Sequence, residues 1–83
     1  MNWPDWWDWE IELTPHVEKR MTQRGFNELA LRGMIQRARG LAQDTNTGHY
    51  VVDTTLRGAR WAVIVEPDPD THTVIIITAY TVS

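Results

Sequence analysis

The sequence predicts an α+β domain: two N-terminal helices packed on a three- to four-stranded antiparallel sheet. Three observations carry this. Helix start and stop signals are confined to residues 14–40, period-two apolar patterning dominates residues 41–83, and the connections between the expected strands are short. Helices followed by a meander of strands pack on one face of the sheet. A chain of 83 residues has room for one core. It is read as a single domain, residues 1–83, made of an acidic, tryptophan-rich arm (1–12), a helical half (13–40) and an antiparallel sheet (41–83).

The first helix opens at Thr14-Pro15-His16-Val17-Glu18. Thr14 caps, Pro15 fits the first helical position, and Glu18 lies near the positive end of the helix dipole. It runs to about Gln23 and stops at Gly25 in the left-handed conformation. Asn27 opens the second helix, from about Glu28 to Ala38, with Leu29, Leu31, Met34, Ile35 and Ala38 as its apolar stripe. Gly33 inside it costs about 1 kcal/mol against Ala, which points to a close approach there.

The strands are expected at Leu41–Asp44, His49–Leu56, Arg60–Glu66 and His72–Val82. Asn46-Thr47-Gly48, Arg57-Gly58 and Pro67-Asp68-Pro69-Asp70 form the turns. Alternation assigns Trp61, Val63 and Val65 to the core, and with them Thr73, Ile75, Ile77 and Ala79. The opposite face then mixes Arg60, Ile64 and Glu66 with His72, Val74, Ile76, Thr78, Tyr80 and Val82.

The arm holds Trp3, Trp6, Trp7 and Trp9, four of the five tryptophans. Asp8, Glu10 and Glu12 alternate with Trp9, Ile11 and Leu13, an extended pattern. Two readings follow: the arm supplies apolar cover that so small a domain lacks, or it anchors a partner. The first is favoured. The arm is also the seat of the negative charge. Residues 1–12 carry four acids and no Lys or Arg, whereas the rest holds all 8 basic groups against 7 acids. This balance excludes a strongly basic nucleic-acid-coating protein, but not a nuclease that positions phosphate with a few arginines. Without cysteine, disulfides and thiolate zinc sites are excluded. The longest uncharged apolar stretch, Thr73 to Ala79, falls far short of the roughly 20 residues that span a bilayer, and the start of the chain lacks the basic segment of a secretory signal. The expected location is the cytoplasm, with no membrane partner.

One constellation has the composition of a catalytic site. His16, Arg20 and Arg24 follow at i, i+4 and i+8, and 100° per residue leaves Arg24 about 80° around the helix from His16. An imidazole moves protons near neutrality and a guanidinium grips phosphate bidentately. Metal-free RNA cleavage by the ribose 2′-hydroxyl needs such groups. Thr78 and Tyr80 on the last strand add a hydroxyl and a phenol, and the phenol ring can stack a base. Ordinary helix-surface ion pairing explains the arginines equally well from spacing alone. Weaker candidates are a three-histidine metal site with His49 and His72, and a hard-cation site at Asp68 and Asp70.

The stretch from Asp8 to Ile35, Gly48-His49-Tyr50, Arg60 to Asp68 and Thr78 to Val82 resemble a small bacterial family of domains of unknown function. Its members carry His-x3-Arg-Met-x2-Arg-Gly, Trp-x-Val-Ile-Val-Glu-Pro-Asp and Thr-Ala-Tyr; here these are His16 to Gly25, Trp61 to Asp68 and Thr78 to Tyr80. The resemblance covers nearly the whole chain. The family is grouped with RelE-like and colicin-like ribonuclease toxin folds. The resemblance therefore implies a ribonuclease with His16, Arg20, Arg24, Thr78 and Tyr80 as its candidate site; a toxin-antitoxin component or a housekeeping protein is expected before a secreted effector, and no cofactor is expected. RNA, an antitoxin-like protein and a second copy of the chain are the partners to expect. The alternative is a noncatalytic interaction module that uses the tryptophan arm or a sheet edge.

Overall fold

The computed structural model describes residues 3–82; Met1 and Asn2 of the arm, and Ser83, lie outside them. A short 3-10 turn, Asp5–Asp8, leads into β1 (Glu10–Leu13). Then come α1 (Pro15–Arg24), α2 (Glu28–Gln36), β2 (Gly40–Gln43), β3 (Tyr50–Leu56), β4 (Ala59–Asp68) and β5 (Thr73–Thr81). The strands form one five-stranded sheet in the order β1-β5-β4-β3-β2. Strands β2 to β5 are an antiparallel meander, and β1 pairs parallel with β5, Glu10 opposite Thr73 and Leu13 opposite Ile76.

The two-helix α+β layout stands, but the three- to four-stranded antiparallel sheet does not: the sheet is five-stranded and mixed. The extra strand comes from the arm. Its period-two pattern is visible locally, but its partner lies some sixty residues downstream, and no local pattern reports such a pairing.

Both helices are capped as their sequences predict. The Thr14 Oγ1 accepts from the Val17 N–H at 3.2 Å, and the Asn27 Oδ1 accepts from the Ala30 N–H at 2.9 Å. Gly25 closes α1 at φ 74°, a left-handed conformation that disfavours any side chain with a Cβ. Gly33 is a close approach: a Cβ there would come within 2.9 Å of the Arg37 guanidinium, which passes over it to donate to the Thr55 carbonyl.

The core lies between the helices and one sheet face. Val17, Met21, Leu31 and Met34 meet Val52, Leu56, Val63, Val65, Val74, Ile76 and Ala79. Thr54 is buried among them, and its hydroxyl donates to the Met34 carbonyl, so no polar atom is stranded. Trp6, Trp7 and Trp9 pack against this core partly buried, as the covering reading of the arm expects. Trp6 meets Tyr50 with ring centroids 4.9 Å apart, and Trp9 stacks on His72 at 4.4 Å.

On β4 the expected core face, Trp61, Val63 and Val65, is buried. On β5 the expected face of Thr73, Ile75, Ile77 and Ala79 is corrected: Val74, Ile76 and Ala79 are buried. The cause is a bulge. Ile76 pairs with Val65 but Thr78 pairs with Ile64, so Ile77 is an extra residue and the parity of β5 inverts across it. Strict alternation cannot accommodate one inserted residue.

Trp61 is 5% exposed, with Phe26 edge-on at 5.3 Å and the Arg24 guanidinium over its ring at 5.8 Å. Trp61→Ala is expected to destabilise the domain by about 3–5 kcal/mol, as truncation of large core aromatics does. Thermal denaturation checks this, and a variant melting within a few degrees of the parent contradicts it.

Candidate functional site

Thr14 fixes where α1 begins. Besides capping the helix, its hydroxyl lies 2.8 Å from the Ile76 carbonyl and 3.1 Å from that of Ile77, and its N–H donates to Ile76 at 3.4 Å. Strand β1 ends its pairing at Ile76, just before the bulge, so the β5 edge beyond it is open to the start of α1. His16, two residues after Thr14, therefore arrives beside Thr78, two residues after Ile76. The His16 Nε2 and the Thr78 Oγ1 are 3.1 Å apart, in an exposed setting.

A cleft of about 190 Å³ opens on the outer side of α1, walled by His16, Lys19, Arg20 and Gln23. These residues follow at i, i+3, i+4 and i+7, one helical face. Lys19 and Gln23 were not among the sequence candidates, although this spacing would have found them. Arg24 lies further around the helix, where its guanidinium covers Trp61 instead of joining the cleft wall. Tyr80 is 42% exposed, two residues beyond Thr78. The structure thus joins His16 to Thr78 and sets Arg20 beside His16. Arg24 has a packing role at Trp61, and Tyr80 stands exposed opposite Ala62.

The cleft lies on the positive part of the molecule. Residues 15–37 carry five basic side chains against two acidic ones. Of the arm's acids, Glu10 and Glu12 alternate with the core-packed Ile11 and Leu13 and so point to the sheet face away from the helices.

The weaker sequence candidates are dispersed. The His49 Nε2 lies 4.0 Å from the Glu66 carboxylate, His72 is stacked on Trp9, and Asp68 accepts from the Asp70 N–H within its turn. Among the described residues no group of three or more His, Asp or Glu is placed to hold a metal ion, and no helix is long and apolar enough to cross a membrane.

Residues 13–81 match the family described as a domain of unknown function, DUF4258. The chain belongs to this family. The match starts at the last residue of β1 and ends at the last of β5, so it takes in α1, Thr78 and Tyr80 and leaves the whole arm, residues 1–12, outside. No curated protein and no solved structure matches the chain.

Proposed function

We propose that this DUF4258 domain is a metal-independent ribonuclease of the RelE-like and colicin-like type. The observation that carries the reading is the His16–Thr78 pair with Lys19 and Arg20 on the same helix face. In the proposed reaction His16 takes the proton of a ribose 2′-hydroxyl, and its oxygen attacks the adjacent phosphorus. The bond to the 5′-oxygen breaks, and that oxygen takes a proton from water. The products are a 2′,3′-cyclic phosphate and a 5′-hydroxyl. Thr78 orients the imidazole through Nε2. Arg20 and Lys19 hold the phosphate and offset the charge that builds on its oxygens. Arg24, held over Trp61, keeps its packing role, and Tyr80 offers an exposed ring for stacking a base. The arm's Glu10 and Glu12 share the sheet face of Thr78 and Tyr80 but sit opposite Thr73 and Ile75, further along β5.

The noncatalytic alternative loses part of its basis, since three of the four tryptophans it would use as anchors, Trp6, Trp7 and Trp9, pack on the core.

The test is incubation of the purified chain with single-stranded and structured RNA in excess chelator, and RNA integrity after induction in a bacterial host. The expected products end in a 2′,3′-cyclic phosphate. Arg20→Ala is expected to weaken RNA binding and flatten its dependence on salt, because it removes a phosphate contact. Intact RNA in every setting, from a protein shown to be folded, overturns the proposal.

A further inference from the structure

Among the described residues the sheet is covered on one face only. Register places on the uncovered face a set of rows that cross the strands. The first runs Glu10, Thr73, Asp68. The second runs Glu12, Ile75, Glu66, with His49 beyond. The third runs Ile77 and Thr78, then Ile64, Val51 and Ala42, and the fourth Tyr80, Ala62, Asp53 and Gly40. Two rows with four carboxylates therefore border an apolar band of Ile75, Ile77, Ile64 and Val51. The His49 Nε2 lies 4.0 Å from Glu66, and Arg60 lies 3.5 Å from Asp53 at the other end of the face.

From this arrangement we infer that the uncovered sheet face docks a cationic amphipathic helix of a partner protein. Its apolar stripe lies on Ile64, Ile75, Ile77 and Val51, and its Lys or Arg flank on Glu10, Glu12, Glu66 and Asp68. Three strands at about 4.8 Å spacing give a band roughly 10 Å wide, covered by about two turns of helix. A single side chain of this kind needs no partner, but a contiguous apolar band with a charged border marks an interaction surface. The sign of the border selects the occupant. A second copy would present its own acidic rows, and the Asp53–Arg60 end that would have to receive them is already neutralised. A basic helix meets opposite charge along one flank and buries the band that the fold leaves uncovered. The inference is independent of the ribonuclease proposal, since none of these carboxylates or aliphatic side chains belongs to the α1 cleft.

The experiment titrates the isotope-labelled full chain with an amphipathic Leu/Lys peptide of about 18 residues, long enough to be helical, and with the same peptide carrying Glu in place of Lys. The expected result is salt-sensitive binding of the Lys peptide, with amide shifts at Val51, Ala62, Ile64, Ile75 and Ile77, and no binding of the Glu peptide. The exposed-site double variant Glu12→Lys/Glu66→Lys, checked as folded by circular dichroism, should bind the Lys peptide at least tenfold more weakly, and Leu29→Ala, on the exposed side of α2, should bind as the parent does. Shifts confined to the helices or the arm, equal affinity of the double variant, or a concentration-dependent dimer that protects these same amides would each overturn the inference.

Discussion

Deleting residues 1–12 is expected to unfold the domain. The deletion takes Trp6, Trp7 and Trp9, which lie partly buried on the core, and Ile11 of β1. Apolar burial at this scale contributes on the order of 5 kcal/mol, comparable with the whole stability of a small domain, about 5–15 kcal/mol. It also strips most of β1 from β5 and so bares the edge of that strand, a template for aggregation. Circular dichroism and light scattering on the truncated chain should show loss of the cooperative thermal transition, with association on heating. The single substitution Trp6→Ala, which removes the contact with Tyr50, should give a folded protein of lower melting temperature. A truncated chain that stays monomeric and melts like the parent contradicts this account of the arm. Such a chain would also carry the net charge of +1 that remains without residues 1–12, and its RNA affinity would then report the body alone.

The second large effect concerns His16. If the α1 cleft cleaves RNA, His16→Ala is expected to slow cleavage by about 10²–10⁴-fold, the usual contribution of a positioned acid or base. Stability should hold, because the side chain is exposed and its partner Thr78 keeps access to water. Thr78→Val should cost less, about 2–10-fold, corresponding to one net hydrogen bond, and should act on the turnover rate more than on RNA affinity. Matched melting curves with unequal cleavage separate a chemical role from a folding one. A His16→Ala protein that cleaves at the parental rate removes His16 from the mechanism.

Much of the local structure was legible because its causes are local. Thr14 and Asn27 cap because each side-chain oxygen reaches an N–H three residues on. Gly25 ends α1 because only that conformation closes the last turn without strain. Trp61, Val63 and Val65 are buried on one face because the inserted residue lies on β5 and the phase of β4 runs through unbroken. The helical spacing of His16 and Arg20 likewise put them on one face of one helix, whatever that helix packs against.

What only the tertiary structure decided rests on contacts between residues distant in the chain. Pairing of β1 with β5 turned part of an acidic arm into a fifth, parallel strand, and no residue of either segment announces the other. The extra residue at Ile77 puts the two halves of β5 out of phase, so that Val74 and Ile76 before it and Ala79 after it all face the core while Ile75 stays outside. Arg24 shares α1 with His16, yet the aromatic face of Trp61, folded beneath the end of the helix, holds it there. His16 stands beside Thr78 because the Thr14 hydroxyl takes the carbonyls that β1 leaves free at the bulge. Helix phase is a property of a few neighbouring residues and can be read from them. Strand pairing and the bulge in β5 depend on the energy of the assembled sheet, which no short stretch of sequence contains.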